Sequence, residues 1–348
     1  MVSHMLDEIR EQPDIIRKIV DKQLPHAEAL CEAIAARDIR FAYIAARGTS
    51  DNVAHYAKYV LEIEHGIPIA LAAPSVFTIY DTVPHLGEHA LVLGISQSGS
   101  GPDVVAVCER ARHAGALTAC ITNDSESALA QAVEYPLITP AGAELSVAAT
   151  KTYTSALAVI AMLSTALSGN KQERLEELRK VAGHIESTLT LDDTIRSLVR
   201  RYKDIESCVV LARGYNLCTA SEIALKLTET CLIGAKSFSA ADFMHGPIAI
   251  VHQGYPVIMI APDGKGYETM EELSEQLRPS HPAMISFAHN PSLLAGSETA
   301  IRIPGAVPEW LSPLIYVTAG QLFAHWLAVA KGYDPDHPRG LSKITRTR

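Results

Sequence analysis

The stretch Leu91-Val-Leu-Gly-Ile-Ser-Gln-Ser-Gly-Ser-Gly-Pro-Asp103 decides how this chain folds. Its apolar half, Ala90 to Ile95, shows no polar alternation, which is typical of a parallel strand buried on both faces. A turn rich in serine and glycine follows (Ser96–Gly101, the serine turn). A helical pattern then starts at Pro102, where the missing proline N–H costs nothing.

Strand, turn and helix N-terminus together predict an anion site at the serine turn. Free backbone N–H groups and the positive end of the helix dipole point into such a turn, and the serine hydroxyls add donors. The alternative is a polar loop that binds nothing. The nucleotide-binding patterns G-x-G-x-x-G and G-x-x-x-x-G-K-[ST] do not fit this stretch, so a nucleotide is not indicated.

Composition narrows the class of protein. The 348 residues are 48% hydrophobic and 20% charged, as in soluble globular proteins, and the net charge of −9 argues against a nucleic-acid partner. The apolar run Ala156–Leu163 is too short to cross a membrane, and no signal peptide opens the sequence. Six cysteines without metal-binding spacing indicate free thiols in a reducing compartment. We therefore expect a cytoplasmic protein.

Strand and helix patterns alternate along the first half, which predicts a parallel sheet with right-handed crossovers. A helix is expected over about Leu145–Ser168. Before the first strand, helices are expected from Met5 to Arg37, with Pro13 near a start and Pro25 as a break, and residues 1–4 are set aside as a cloning remnant. The predicted strands are Phe41–Ala46, Pro68–Ala73, Ala90–Ile95, Leu117–Thr122 and Leu137–Thr139.

The pattern then repeats at one constant offset along the chain, the distance from Arg47 to Arg213, so one α/β unit occurs twice. The matching pairs are Ala46-Arg47-Gly48 with Ala212-Arg213-Gly214, Leu91–Ile95 with Val257–Ala261, and Thr118–Asn123 with Met284–His289. The predicted fold class is α/β, with two tandem doubly wound units. The predicted domains are a helical segment at 1–37, a first unit at 38–166, a helical linker at 167–203, a second unit at 204–331 and a tail at 332–348.

The second copy lacks the serines of the first. Its turn after the matching strand reads Pro262-Asp-Gly-Lys265. We therefore expect phosphate to bind at the serine turn and not at this second turn.

The second copy carries a different set of groups. Glu222, Lys226 and Glu229 are spaced to share one face of a helix that is otherwise apolar. A salt bridge on a solvated face is the ordinary interpretation of this spacing, but so apolar a helix favours a cleft. His245 follows in a Gly-Pro turn, and alone it would indicate little. The tail Asp334–Lys343, taken alone, is typical of a disordered end.

Seven motifs carry a family resemblance over essentially the whole chain. They are Met5-Leu-Asp-Glu-Ile-Arg-Glu-Gln-Pro13, Gly48-Thr49-Ser50, Ser96-Gln97-Ser98-Gly99, Glu144-Leu-Ser-Val-Ala-Ala-Thr-Lys151, the row Glu222, Lys226 and Glu229, His245-Gly-Pro247, and Asp334…Pro338-Arg339…Leu341-Ser-Lys343. Together they resemble the sugar isomerase (SIS) family, whose domains are flavodoxin-like. Within it they resemble the isomerase half of glutamine–fructose-6-phosphate aminotransferases and the SIS-type glucosamine-6-phosphate deaminases.

The resemblance implies a role for each matched residue. Glu229 matches the base that moves a proton between C1 and C2, His245 the ring-opening residue, and Lys343 the tail lysine that closes on the open-chain sugar. Lys226 and Glu222 match its supporting helix partners. The implied substrate-binding residues are Thr49, Ser50, Ser96, Gln97, Ser98, Gly99, Gly101, Val147 and Ala148. The resemblance also implies a homodimer in which His245 completes the neighbour's site.

The chemistry agrees with these assignments, and it calls for neither a metal nor a cofactor. One carboxylate can deliver and remove a proton on one face of an enediolamine. Histidine suits ring opening near neutral pH. A phosphate far from the reacting carbons supplies binding energy that orients the sugar.

The chain departs from the aminotransferase pattern at three positions. Ser100 and Gly101 stand where those enzymes have an acidic residue and a threonine, which removes one phosphate hydroxyl. Ala149 stands where those enzymes have a serine, so its side chain is not expected to supply that sugar contact. The sequence also contains no glutaminase portion, so we expect that this chain does not release ammonia from glutamine.

Four functions follow from the sequence. The first is an amino-sugar phosphate isomerase/deaminase, which converts glucosamine 6-phosphate to fructose 6-phosphate and ammonia. The second is glucosamine 6-phosphate synthesis with free ammonia or a separate glutaminase partner. The third is a deglycase acting on 6-phosphorylated fructosamine adducts. The fourth is a non-catalytic sugar-phosphate sensor, which would not need to retain Glu229, His245 and Lys343.

Overall fold

A computed structural model describes residues 3–343, and this part of the chain forms two compact units, each with one parallel sheet. The first unit comprises residues 14–144, 151–179 and 342–343. The second comprises residues 3–13, the loop 145–150, and residues 180–341. Helices α1 (His4–Lys22) and α8 (Lys171–Leu189) contribute residues to both units.

The first sheet has five parallel strands in the order β2-β1-β3-β4-β5. Its strands are β1 Phe41–Ala45, β2 Ile69–Leu71, β3 Ala90–Ile95, β4 Leu117–Thr122 and β5 Tyr135–Ile138. Its helices are α2 Leu24–Ala36, α3 Thr49–His65, α4 Pro74–Thr78, α5 Pro102–His113, α6 Ala128–Ala132 and α7 Lys151–Leu167. Every residue of β3 and β4 is buried, as the unbroken apolar pattern predicts. Helices α2 and α3 pack on α7, and α4 and α6 pack on α5.

The second sheet has the order β10-β9-β8-β6-β7, which is the same topology read from the other edge. Its strands are β6 Ser207–Ala212, β7 Gly234–Ser239, β8 Pro256–Ala261, β9 Ala283–Ala288 and β10 Thr299–Arg302. Its helices are α9 Asp192–Leu198, α10 Leu217–Cys231, α11 Ala240–Met244, α12 Tyr267–Leu277, α13 Pro291–Ala295 and α14 Ser312–Ala330. Strands β8 and β9 follow β3 and β4 at the same offset that separates Arg213 from Arg47. The predicted fold class, two doubly wound α/β units, is confirmed.

Both sheets reverse their winding direction between two central strands. In the first sheet β1 pairs with β3 in parallel, so the carboxyl ends of both strands reach one edge. In the second sheet β6 and β8 are paired in the same way. Ligands of open α/β sheets bind outside the carboxyl ends of the strands at such a switch point. Thr49 and the serine turn therefore lie at the expected edge of the first sheet.

Three details differ from the sequence prediction. Pro13 lies inside α1, and Gln12 Nε2 donates to the Ile9 carbonyl, 2.9 Å away, in place of the missing proline N–H. The helix expected from Leu145 begins only at Lys151. Strand β5 begins at Tyr135, whereas the predicted strand begins at Leu137. It therefore contains Pro136, which is tolerated because β5 is an edge strand.

Ser3 and His4, which were set aside as part of a cloning remnant, make hydrogen bonds in the structure. Ser3 Oγ and the His4 and Met5 N–H groups donate to the Asp336 carboxylate at 2.8–2.9 Å. Asp336 thereby satisfies donors that the first turn of α1 leaves unpaired.

Burial explains two further features of the composition. The segment Glu309–Ala330, which includes α14, is apolar enough to cross a membrane, but 83% of its most apolar window is buried, so it is a core helix. Five cysteines are buried, and Cys31 is partly exposed. Burial raises the pKa of the Cys31 thiol to about 12, since it leaves little water to stabilise the thiolate.

Candidate functional site

The serine turn is held in place by its neighbours, and part of its backbone remains available. Ser96 N–H donates to the Ile121 carbonyl (3.0 Å), Asn123 N–H donates to the Gln97 carbonyl (3.0 Å), and Leu129 N–H donates to the Gly99 carbonyl (3.0 Å). These bonds tie the turn to β4 and α6.

Three N–H groups of the turn have no acceptor within residues 3–343, namely those of Gln97, Ser98 and Gly101. Ser98 Oγ lies 2.8 Å from Ser100 Oγ, so two hydroxyls share the mouth of the turn. Gly101 precedes α5 without a side-chain cap. The turn therefore presents donors to an anion at the positive end of α5.

Glycine is required at position 99. Its φ of +58° is left-handed, and a Cβ there would lie 2.2 Å from Ser127 Oγ and 2.8 Å from Thr122 Oγ1. Ser127 itself caps α6 by accepting from Ala130 N–H. Sequence reasoning missed Ser127, because its part in shaping the turn depends on a contact between positions that are well separated along the chain.

Thr49 and Ser50 open α3 directly after β1. Gly48 precedes them with a φ of +53°, and Ser50 N–H donates to the Arg47 carbonyl (3.0 Å). Asp51 follows in the same turn of the helix. Its pKa is raised by burial, which outweighs the opposing effects of His55 and Arg47. The structure thus brings the predicted Thr49 and Ser50 to the sheet edge that carries the serine turn.

The charged row of the second unit lies on a buried helix and not on a solvated face. Lys226 Nζ is 2.6 Å from Glu229 Oε2 and 3.4 Å from Glu222 Oε1. The side chains of Lys226 and Glu222 are 1% and 0% exposed, whereas that of Glu229 is 25% exposed. Helix α10 packs against α14 and β7, which explains the burial. Glu229 is therefore the member of the row that solvent or a ligand can reach.

His245 stands apart from this row. It follows α11 in an exposed turn, where its N–H donates to the Asp242 carbonyl (3.2 Å). Gly246 has a φ of +139°, which other residues rarely adopt. Within the described residues the imidazole ring makes no hydrogen bond. The structure does not bring His245 to Glu229 through a direct contact.

Val147 and Ala148 lie in the loop 145–150, whose backbone is fixed by the second unit. Val147 N–H donates to the Asp336 carbonyl (3.1 Å), and Ser146 Oγ donates to the Ala148 carbonyl (3.0 Å). The buried Glu8 carboxylate accepts from the N–H groups of Leu145 and Ser146 and from Ser146 Oγ. These bonds explain why the helix starts only at Lys151. Glu8 and Asp336 lie in the recognised motifs, but no sequence pattern assigned them this role.

Lys343 is bound within the first unit. Its Nζ is 2.7 Å from Glu144 Oε2. Tail residues that look disordered in isolation are thus anchored, with Asp336 only 7% exposed. Within the described residues, no group of three or more His, Cys, Asp or Glu side chains could hold a metal ion.

The second turn is occupied by a side chain of the protein. Glu309 accepts from Lys265 N–H (2.9 Å) and Gly266 N–H (3.2 Å) at the start of α12. A Cβ on Gly264 would lie 2.3 Å from Glu309 Cδ. Glu309 was missed from the sequence because it lies far beyond the turn along the chain, after two further strands.

Comparison with known proteins agrees with this geometry. The SIS domain profile matches residues 37–166 and 202–331. The isomerizing glutamine–fructose-6-phosphate aminotransferase of Pyrococcus horikoshii is 34% identical over 343 residues, which cover 97% of this chain and 57% of that protein. The chain therefore spans little more than half the length of this curated relative.

Solved structures share the fold over nearly the whole chain. The C-terminal domain of glucosamine-fructose-6-phosphate aminotransferase from Francisella tularensis superposes with a TM-score of 0.88 at 25% identity, covering 97% of this chain and 99% of that one. Glucosamine-6-phosphate deaminase from Thermotoga maritima gives a TM-score of 0.80 at 22% identity, covering 99% and 100%. The chain belongs to the SIS domain family, of which it carries two tandem copies.

Proposed function

We propose that the chain is an amino-sugar phosphate isomerase/deaminase acting on glucosamine 6-phosphate and fructose 6-phosphate. The observation that carries this proposal is the buried row on α10, in which Lys226 pairs with Glu229 and only Glu229 is accessible. A partly exposed carboxylate that a buried lysine holds in one place can reach a bound sugar, where it can accept one proton and return it.

Each step uses residues already located. The serine turn grips the phosphate through its free N–H groups and hydroxyls, with Thr49 and Ser50 beside it. His245 opens the sugar ring. Glu229 then moves one proton between C2 and C1, which converts the amine at C2 into an imine. Water adds to this imine, and ammonia leaves with fructose 6-phosphate as the product.

The test is ammonia release from glucosamine 6-phosphate, measured with a coupled enzyme assay. We expect turnover by the wild-type chain and none by Glu229→Gln. If turnover is found only in the opposite direction, from fructose 6-phosphate and ammonia, the chain would instead be a glucosamine 6-phosphate synthase that uses free ammonia. Release of an amino acid from a 6-phosphorylated fructosamine adduct would favour a deglycase, and binding without any turnover would favour a sensor.

We also propose a homodimer in which each His245 serves the partner's site. The exposed turn and the absence of a hydrogen bond to the ring within residues 3–343 support this assignment. Mixing inactive Glu229→Gln chains with inactive His245→Ala chains should restore part of the activity. No recovery in a verified mixed dimer would mean that each chain builds its own site.

A further inference from the structure

A buried carboxylate, that of Glu144, links the start of helix α7 to the tail. Glu144 has no exposed side-chain surface, and it accepts from Thr152 N–H (3.1 Å) and Thr152 Oγ1 (2.7 Å). Thr152 is the second residue of α7, where backbone N–H groups lack partners within the helix. A carboxylate is stable out of water only when donors surround it. The start of α7 therefore fixes Glu144 in one position.

The second feature is what this fixed carboxylate holds. Glu144 Oε2 lies 2.7 Å from Lys343 Nζ, and the Lys343 side chain is only 26% exposed. Between the end of α14 and Lys343 the described chain forms no helix or strand. A lysine ammonium sits on a flexible four-carbon stem that loses much rotamer freedom when it is ordered. A preorganised anion offsets that loss.

We propose that Glu144 is a positioning residue for Lys343. Its buried carboxylate, anchored by Thr152, holds the ammonium where the tail joins the first unit. This inference rests on the proposed function, in which Lys343 closes on the open-chain sugar. Glu144 makes no contact with substrate in this account and acts only through the lysine. Its loss should therefore resemble the loss of correct lysine placement.

The first test needs no substrate, so it is independent of the proposed function. Limiting acetic anhydride labels exposed amines, and mass spectrometry measures acetylation of Lys343 relative to the exposed Lys265. Glu144→Gln should raise the relative labelling of Lys343 about fivefold, the factor expected for the loss of one ion pair whose lysine is still partly exposed. The matched control is Thr152→Val, which removes another side-chain partner of Glu144 and lowers the melting temperature. It should leave Lys343 labelling within about twofold, because its backbone N–H still anchors the carboxylate.

The second test is a double-mutant cycle on kcat/KM. Glu144→Gln should lower kcat/KM about 10- to 100-fold, as expected when a working group is misplaced by about 1 Å. In the Lys343→Met background the same substitution should have an effect of less than about twofold, since residues that act as a unit are not additive. Should Glu144→Gln not fold, Glu144→Asp keeps the charge, shortens the reach and should change both readouts in the same direction.

The outcomes separate the two claims. Unchanged Lys343 labelling in a folded Glu144 variant overturns the positioning role, whatever the activity of the enzyme. Labelling of Lys343 that rises as much in Thr152→Val as in Glu144→Gln overturns it too. Fully additive losses in the cycle mean that Glu144 acts through the fold and not through Lys343, which also overturns it. Raised labelling together with a wild-type chain that shows no turnover supports the Glu144–Lys343 pair and counts against the proposed function alone.

Discussion

In the first copy, the serine turn leaves the N–H groups of Gln97, Ser98 and Gly101 without an acceptor in the described chain. In the second copy, the turn after the equivalent strand donates its N–H groups to the carboxylate of Glu309. Both turns follow matching strands at a switch point, and both precede a helix N-terminus that favours negative charge. One turn is free for an external anion, and the other is filled by an internal one.

This difference shows how two copies of one α/β unit can come to differ in whether their turn is open to an anion. The fold places an electropositive turn in each copy, because the turn is a consequence of the strand–turn–helix geometry. Filling one turn with Glu309 satisfies its donors and removes it from ligand binding. The second copy then contributes the row of Glu222, Lys226 and Glu229, which has no counterpart in the first copy: the equivalent positions 56, 60 and 63 hold Tyr, Val and Ile.

The largest expected effect compares a glycine in each turn. Gly99→Ala forces a Cβ into Ser127 at a left-handed φ, so the serine turn must distort. We expect sugar-phosphate affinity to fall at least about 100-fold, since misplaced donors lose their hydrogen bonds to the anion. Gly264→Ala strains a positive φ of +141° and displaces the Glu309 side chain, so it should lower stability while changing the affinity less than about twofold. Isothermal titration with fructose 6-phosphate measures the affinity of both variants. Equal affinity losses would contradict the claim that only the first turn binds phosphate.

The next effect compares the last helix of each copy. His325 in α14 is 1% exposed and has an unpartnered Nδ1 among the described residues, whereas α7 has Val159 at the same register. Burial lowers the pKa of His325 to about 4, although Asp336 and Asp192 oppose the shift. The unfolded chain, with a histidine pKa near 6.5, therefore binds more protons between pH 6.5 and 4.

Stability should consequently fall as the pH drops through this range, by up to about 3 kcal/mol from His325 alone. His325→Phe should flatten the slope, whereas the exposed control His113→Gln should not. Urea unfolding at several pH values measures the slope. An unchanged slope in His325→Phe would assign the acid sensitivity to other groups.

A smaller effect concerns the internal anion. Glu309→Gln keeps the size of the side chain but removes its charge from the start of α12. We expect a loss of about 1–2 kcal/mol in the free energy of unfolding, because two hydrogen bonds to a carboxylate become weaker. Sugar-phosphate affinity should stay unchanged. Glu275→Gln, on the exposed face of α12, is the matched control and should change stability by less than about 0.5 kcal/mol. Equal losses in the two variants would mean that Glu309 does not serve as the anion of the second turn.

The smallest effect compares the arginines of the repeated Ala-Arg-Gly motif. Arg47 Nε binds the buried Asp103 carboxylate at 2.8 Å, whereas Arg213 binds the neutral Ser239 hydroxyl at 3.0 Å. Arg47 is half exposed, so its pair is partly screened. Arg47→Gln should cost about 1 kcal/mol and Arg213→Gln less than about 0.5 kcal/mol in thermal unfolding. A larger loss of stability in Arg213→Gln than in Arg47→Gln would contradict this interpretation of the two arginines.

Sequence patterns predicted the sheets well for a physical reason. Fully buried parallel strands such as β3 and β4 require unbroken apolar runs, and duplication repeated those runs at a fixed offset. The loop 145–150 was mistaken for helix because its residues suit a helix, while Glu8 and Asp336 bind its backbone from distant positions. Local propensity carries no information about such partners.

The same limit applies to the candidate site. The serine turn and the row on α10 are local patterns, so the sequence predicted them by spacing. The roles of Ser127, Glu144 and Glu309 depend on contacts that the fold creates between distant segments, and each residue type is common on protein surfaces. Only the tertiary structure distinguishes them from solvated side chains.

One measurement tests most directly whether the first copy binds phosphate and the second transfers the proton. Two quantities are measured for each of two variants. One is the rate of deuterium exchange from solvent into fructose 6-phosphate, followed by NMR, and the other is the affinity for this sugar phosphate, measured by titration. Glu229→Gln should keep the affinity within about threefold and slow exchange by about two to four orders of magnitude. Ser98→Ala should weaken affinity by about tenfold. Exchange that persists undiminished in Glu229→Gln would contradict the account.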